Sequence, residues 1–482
     1  MSTFACDGLP HHIMPPFKPY SQNQSQLLPP SLEEFIDKDH IARLLSHAID
    51  AMDISFIENT YSPLGQHAYA PKMLVKTLLY GYTIGVRSSR KLANKCREDI
   101  VFMWLTGRQT PDFRTISDFR KVKMREVKKI FEQVLAVCME LDMVRVGKVF
   151  VDGTSIRADA NKNKMRYRKV LEERRSKIRK QIDEMFEEAA KLDTEEDEIY
   201  GDHTPHTTGI PLTDELKERI REHLNTEEKK RIQAIERKEK KRERKHKELN
   251  AMQGEISTKL RMMRRDRNSM STTDKDATYM LMKEQYTAPG YNAQFATEHQ
   301  VILGYHLSSD RNDSRLMKQV MKEVKERTGK KPRAVGADAG YGNKKTYRYL
   351  KQVGIAAFIP YNNYNREITL RNKGLYQLPR EYDTELERYK WRMRLRLKSE
   401  EGKEMMKRRR EDVEPVIGDI KRNMNFRGFT VRSKWKCEIE LGLISIGHNL
   451  KKIKEWVKKL VEWDNGLLKG QELGKVLGYV MA

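Results

Sequence analysis

Two aspartates stand at the ends of short apolar runs, Asp152 in Val149-Phe-Val-Asp-Gly and Asp338 in Val335-Gly-Ala-Asp-Ala-Gly-Tyr. A carboxylate that follows a buried strand emerges at the edge of a sheet, and the small neighbours Gly153, Ala337, Ala339 and Gly340 leave room for a substrate or an ion. For one such aspartate alone a common Asp-Gly turn, as at Asp152-Gly153, is a sufficient reading. Two of them suit a hard divalent cation, which takes oxygen ligands and needs only a few carboxylates. A third acid is sought on a helix, and Lys407 to Lys421 supplies it. At ~100° per residue, Lys407, Arg410, Glu414 and Lys421 fall within about 60° of one another. Val413, Val416, Ile417 and Ile420 form the adjoining apolar stripe. An acid between cations suits a metal ligand beside phosphate clamps. A surface Arg410–Glu414 ion pair fits the same spacing. Glu411 and Asp412 lie just upstream, and Pro415 either starts or kinks the helix.

The elements around these residues change character along the chain. Residues 1–30 are rich in Pro, Ser, Gln and His and read as a disordered arm. Residues 31–142 read as an all-helical domain, opened by the capping box Ser31-Leu-Glu-Glu34. Its short basic helix near 89–98, with Arg90 and Lys91, fits either a recognition helix or a core helix with a basic solvent face. A core split into 143–164 and 285–463 carries the strands: Val149–Val151, a hairpin over Tyr291–Ser308, Ala334–Ala337 and Ile355–Ile359. Asp313 reads as the cap of the helix after the hairpin. Asp159, Asp310 and Asp313 are alternative carboxylates. Residues 165–265, dense in Lys, Arg and Glu, read as a solvated helical hairpin, and 361–404 as a second polar insertion. Residues 405–422 and 437–463 read as closing helices, and 464–482 as a tail. Trp391, Trp435, Trp456 and Trp463 are assigned to core or edge positions. Asp202, His203 and His206 sit in a loop and read as no metal site.

The balance of charge narrows the partner. Across 482 residues there are 94 Lys+Arg against 69 Asp+Glu, a formal charge of +25. Such a surplus points to a polyanion, most simply nucleic acid. No apolar run approaches the ~18 residues of a membrane span, and Met1–Pro30 has no secretory apolar stretch. The four cysteines are scattered without CxxC spacing, which argues against a disulfide framework or a cysteine zinc site and suits a reducing cytoplasm. No glycine-rich phosphate loop is present, so no ATP dependence is expected.

Taken jointly, the motifs resemble a bacterial insertion-sequence DDE transposase of the branch with a Y-x2-R-x3-E-x6-K signature. Arg410-x3-Glu414-x6-Lys421 fits its last three positions, with Lys407 where the signature has Tyr. Val151-Asp-Gly-Thr154 and Ala337-Asp-Ala-Gly-Tyr341 resemble the two aspartate segments. Pro111 to Arg120 resembles the N-terminal helical domain, and the likeness runs from about residue 31 to 455. The resemblance implies an α/β, RNase H-like mixed sheet flanked by helices. It implies two Mg²⁺ (or Mn²⁺) ions on Asp152, Asp338 and Glu414, with Arg410, Lys421 and Lys407 on DNA. Double-stranded DNA is the implied partner, as terminal inverted repeats and as target, with a homodimer on paired ends and a nucleoid-associated cytoplasmic location. A metal-dependent nuclease on the same core and a catalytically silent DNA-binding relative are the alternatives.

If the surplus of cations meets phosphate, the logarithm of duplex affinity should fall by ~0.9 per phosphate contacted for each unit of log salt. A fluorescence-anisotropy titration at several salt concentrations measures it, and a flat response removes DNA as the partner.

Overall fold

The computed structural model describes residues 31–62, 67–200, 213–223, 226–263, 269–282, 285–377 and 382–463. The arm 1–30, the tail 464–482 and Asp202, His203 and His206 lie outside them.

Among the described residues seven α-helices come first: α1 (Ile41–Ala51), α2 (Ser55–Glu58), α3 (Pro71–Thr83), α4 (Ser89–Glu98), α5 (Ile100–Thr106), α6 (Phe113–Val122) and α7 (Val127–Glu140). Local signals set their ends. Pro71 occupies the first turn of α3, where its missing N–H costs nothing. Asp99 caps α5 by accepting from the Val101 and Phe102 amides, and Gly107 ends it in the left-handed region at φ 58°. Asp112 caps α6 through the Thr115 amide.

Strand β1 (Lys148–Arg157) follows, then β2 (Met165–Tyr167), α8 (Arg168–Tyr200), α9 (Asp214–His223), α10 (Thr226–Met262) and β3 (Ser269–Ser271). Next come β4 (Thr278–Leu281), β5 (Thr287–Glu298), β6 (Val301–Ser308), α11 (Met317–Thr328), β7 (Ala334–Ala337), α12 (Lys344–Gln352) and β8 (Ala356–Phe358). The chain closes through α13 (Tyr364–Asn372), α14 (Thr384–Lys398), α15 (Glu400–Gly418), a π turn over Asp419–Asn423 and α16 (Lys434–Trp463).

The main sheet runs β4-β5-β1-β7-β8, with β6 also paired to β5. β5 is antiparallel to β1 and to β6, whereas β1, β7 and β8 are parallel. This mixed sheet with helices packed against it is the RNase H-like arrangement expected. β1 is longer than the apolar triplet suggested, because Asp152-Gly153 is no turn: both residues stay in the ladder, opposite Phe295 and Gln294. The β5–β6 hairpin turns at His299 and Gln300, both at positive φ. The carboxylate of Glu298 anchors the start of β1 by accepting from the amides of Val146, Gly147, Arg145 and Lys148 at 2.6–3.0 Å.

The helical region 31–142 shares one hydrophobic core with the sheet. Helix α16 lies against α3, α7 and β6. At this junction Arg120 of α6 meets Glu440 of α16 at 3.3 Å, both buried, and the Tyr82 hydroxyl donates to Glu440 at 2.5 Å. Stranding either charge there would cost on the order of 3–5 kcal/mol.

The region 361–404 is less polar in role than its composition suggests. Tyr389, Met393 and Leu397 of α14 are buried in the main core, near β8 and α12. Trp391 and Trp435 are exposed rather than core, and Trp456 is half-buried against the core.

The charged insertion differs. α8 and α10 pair through Leu171, Ile178, Ile182 and Met185 against Leu249, Ile256 and Leu260, a cluster separate from the main core. Its roots are held together by β2 and β3, antiparallel with Met165 opposite Ser271. Replacing residues 168–268 by a short Gly/Ser linker should therefore leave one cooperative unfolding transition, moved by no more than about 4 °C. Calorimetry checks this; loss of the transition would make the hairpin part of the main core.

Candidate active site

Parallel pairing of β1 with β7 decides where the two acids go. Val151 stands opposite Ala337, so Asp152, inside β1, and Asp338, the residue after β7, stand side by side on adjacent strands. Neighbouring strands lie about 4.8 Å apart. Each carboxylate is steadied by a local amide: Asp152 Oδ1 accepts from Gly153 N at 2.8 Å, and Asp338 Oδ1 from Gly340 N at 2.9 Å. Asp338 thereby caps the short 3-10 turn Ala339–Tyr341.

A third aspartate joins them. Asp313 caps no helix; neither its own 3-10 turn nor α11 has a side-chain cap. Its Oδ1 instead accepts from Asn292 Nδ2 and Gln294 Nε2, both at 2.7 Å. Those amides come from alternate positions of β5, hence from one face of the sheet. A Cβ placed on Gly153 would sit 2.2 Å from Gln294 Nε2 and 2.6 Å from Asp313 Oδ1, so only glycine fits there. Behind this layer the buried Tyr341 hydroxyl donates to Gln294 Oε1.

Helix α15 lies across β1, β5, β7 and β8. Met405, Val413, Val416 and Ile417 face inward, and Asp412 accepts from the Gln300 amide at the hairpin turn. Pro415 is accommodated inside the helix. The inward stripe includes Arg409, whose side chain is only 13% exposed. Its guanidinium stands 3.6 Å from Asp152 Oδ2 and 3.2 Å from Glu414 Oε1. Glu414, 52% exposed, is thus brought to the rim with one guanidinium between it and Asp152. The partner of Glu414 is Arg409, not Arg410 as the i, i+4 spacing suggested.

The remaining sequence candidates are spread more widely. Arg410 and Lys407 are exposed on α15, with Lys407 3.9 Å from Glu411. Lys421 turns inward and donates to the Ser155 carbonyl of β1 at 3.1 Å. Arg90 and Lys91 are exposed on α4, with Arg90 over the Phe113 ring at 5.0 Å. Asp159 pairs with Arg432 at 2.9 Å.

Electrostatics mark Asp152 and Asp338 as a strained pair. Burial pushes Asp152 up to about 6, with Asp338 and Asp313 adding to it and Arg409 and the Gly153 amide opposing. Burial first and Asp313 second raise Asp338, against the Gly340 amide and Arg409. Hard oxygen donors that repel one another beside glycines fit a divalent cation in kind. Among the described residues no group of three or more His, Cys, Asp or Glu is arranged to hold a metal ion as it stands.

Sequence reasoning missed Arg409 and misread Asp313. Arg409 was detectable as the cation sharing the helical stripe of Met405, Val413 and Val416. Asp313 was signalled only by Asn292 and Gln294, two amides alternating with Ala293 and Phe295 in a buried strand.

Family comparisons agree with this arrangement. The family Transposase domain (DUF772) matches residues 30–122, and the family Transposase DDE domain matches residues 263–450. The chain is an insertion-sequence DDE transposase. Neither curated proteins nor solved structures give a match. The second family span includes Asp313, Asp338 and Glu414 of the transposase, whereas Asp152 precedes it. DDE transposases cleave DNA and transfer strands, and the family uses divalent metal ions. No helix among the described residues of the transposase is long and apolar enough to cross a membrane.

The raised carboxyls carry a pH signature. An acid whose folded value lies above its ordinary 3.8 stabilises the fold below about pH 4, and that stability is lost as pH rises through about 6. The ionised Asp152 then costs up to ~3 kcal/mol. In chelator, Asp152→Asn should raise the denaturation midpoint at pH 8 and leave it nearly unchanged at pH 4. Equal shifts at both values would contradict this electrostatic picture.

Proposed function

We propose that this transposase works at Asp152, Asp338 and Glu414, with Mg²⁺ or Mn²⁺ as the divalent metal and two ions per site. The observation that carries the reading is the side-by-side placement of Asp152 within β1 and Asp338 just after the parallel β7, with α15 bringing Glu414 to the same rim. When bound, the two ions supply Lewis-acid stabilisation of the attacking and leaving oxygens of an in-line phosphoryl displacement.

The chain's residues do the rest. The Asp152, Asp338 and Glu414 carboxylates act as ligands and stay ionised. Arg409 vacates the position between Asp152 and Glu414 and turns to phosphate. Arg410 and Lys407, exposed along α15, grip the phosphates that flank the cut, Arg by its bidentate fork. Lys421 exchanges the Ser155 carbonyl for a phosphate oxygen. Arg90 and Lys91 hold duplex DNA farther along, on the terminal inverted repeat. Water cleaves the phosphodiester at the element's end and leaves a 3′-OH. That 3′-OH then attacks a target phosphodiester; one P–O bond forms as another breaks, without a covalent protein–DNA intermediate. Two copies would pair the two ends, acting on DNA of the cytoplasmic nucleoid.

Asp152→Asn, Asp338→Asn and Glu414→Gln should each abolish cleavage of a labelled transposon end while leaving duplex affinity nearly intact, because affinity rests on cation–phosphate contacts. The losses should not add in double variants. Glu411→Gln, on the face toward Lys407, should retain cleavage. Full cleavage by Glu414→Gln with loss in Glu411→Gln would shift the helix register by nearly one turn. Normal cleavage by all three acid variants would refute the reading.

A further inference from the structure

Asp313 does not play the helix-cap role that its place in the sequence suggests. It caps neither of the helical turns beside it. It stands on the 3-10 turn Asp313–Arg315, which packs against the 3-10 turn Ala339–Tyr341 that Asp338 caps. The Asn343 side chain ties the two turns together by donating to the Ser314 carbonyl at 2.6 Å. The two oxygens of Asp313 are treated differently. Oδ1 is anchored twice, by the buried amides of Asn292 and Gln294. Oδ2 is directed toward the Asp338 side: a Cβ placed on Gly340 would lie 3.6 Å from it and 3.1 Å from Asp338 Oδ1. One oxygen held by neighbouring donors and the other aimed into the site is how outer partners orient a ligating carboxylate. Three independent segments, β1, the turn after β7 and the turn after β6, therefore deliver one aspartate each to one place. Glu414 reaches the same rim only across Arg409.

We infer that Asp313 is a ligand of the catalytic divalent metal, its carboxylate drawn together with those of Asp152 and Asp338 when the ion binds, before DNA arrives. Glu414 joins when Arg409 withdraws. Asn292 and Gln294 are positioning residues, and their effect on the metal runs through Asp313. This rests on the site proposed above and adds a ligand to it.

The test uses the full chain without DNA and MnCl₂ as probe, read by calorimetric titration and by the Mn²⁺-dependent rise in melting temperature. Asp313→Asn keeps an oxygen for Asn292 and Gln294 but loses the charge. It should weaken Mn²⁺ binding about tenfold or more, as Asp152→Asn and Asp338→Asn do, while Glu414→Gln weakens it less. Wild-type Mn²⁺ affinity in Asp313→Asn, with loss in the other two aspartate variants, would overturn the inference and leave the site intact. Unchanged Mn²⁺ affinity in all three aspartate variants would overturn the site itself. Should Asp313→Asn fold poorly, Asp313→Cys decides by metal preference. A thiolate ligand favours softer ions, so cleavage of a labelled end should shift from Mg²⁺ toward Mn²⁺ or Cd²⁺. An unshifted preference would make Asp313 structural.

Discussion

Carboxylates held side by side in a poorly hydrated pocket repel one another, and this fold forces that proximity through the parallel register of β1 and β7. Val151 opposite Ala337 sets Asp152 and Asp338 side by side. The rest of the site answers that repulsion. Gly153 and Gly340 offer amides, Arg409 offers a positive charge from α15, and Asn292 and Gln294 hold Asp313. Stability is given up locally where these carboxylates crowd together, a common feature of functional centres.

Holding mutually repelling groups in place requires a stiff frame. β1 is pinned at its start by four amides on Glu298 and along its length by β5. α15 is docked by a buried apolar stripe and by Asp412 on the β5–β6 turn, so the position of Arg409 and Glu414 is set relative to that hairpin. The helical region is fastened to the same frame through α16, where Glu440 accepts from Tyr82, Thr430 and Arg120. A buried ion pair of this kind adds little net stability, but its broken halves are costly, which favours one docking arrangement. Arg90 and Lys91 therefore stand on a body continuous with the main sheet.

The insertion obeys another logic. It leaves the chain soon after β1 and returns before β4, close to the acids in sequence yet with its own apolar seam. Long charged helices can extend into solvent only if their inner faces pair, and Leu171 to Met185 against Leu249 to Leu260 does this. The charge surplus of the whole chain is thus compatible with a core of ordinary apolar character.

Much was legible in the residues themselves. The aspartates beside small residues, the apolar stripe of α15 and the charged hairpin follow from periodicity and composition, because hydrophobic spacing acts locally, although Asp152 lies inside β1 rather than at its end. The acidic pair Asp152 and Asp338 was visible for the same reason. What sequence spacing left open is which groups meet. Asp313 looked like a helix cap because Asp before a helix commonly is one, and only the return of β6 beside β5 carried it to Asn292 and Gln294. Arg409 and Arg410 differ by a single step in an arginine run. Packing of Met405 and Val413 on the sheet turned Arg409 inward and left Arg410 outside. The sequence by itself determined most helices, the apolar centres of the principal strands and the kind of chemistry, since these depend on near neighbours along the chain, whereas β2, β3, β4 and the full length of β1 were not legible in it. The tertiary structure alone decided the counter-ion and the third aspartate, since Coulomb and hydrogen-bond partners are chosen by distance in space.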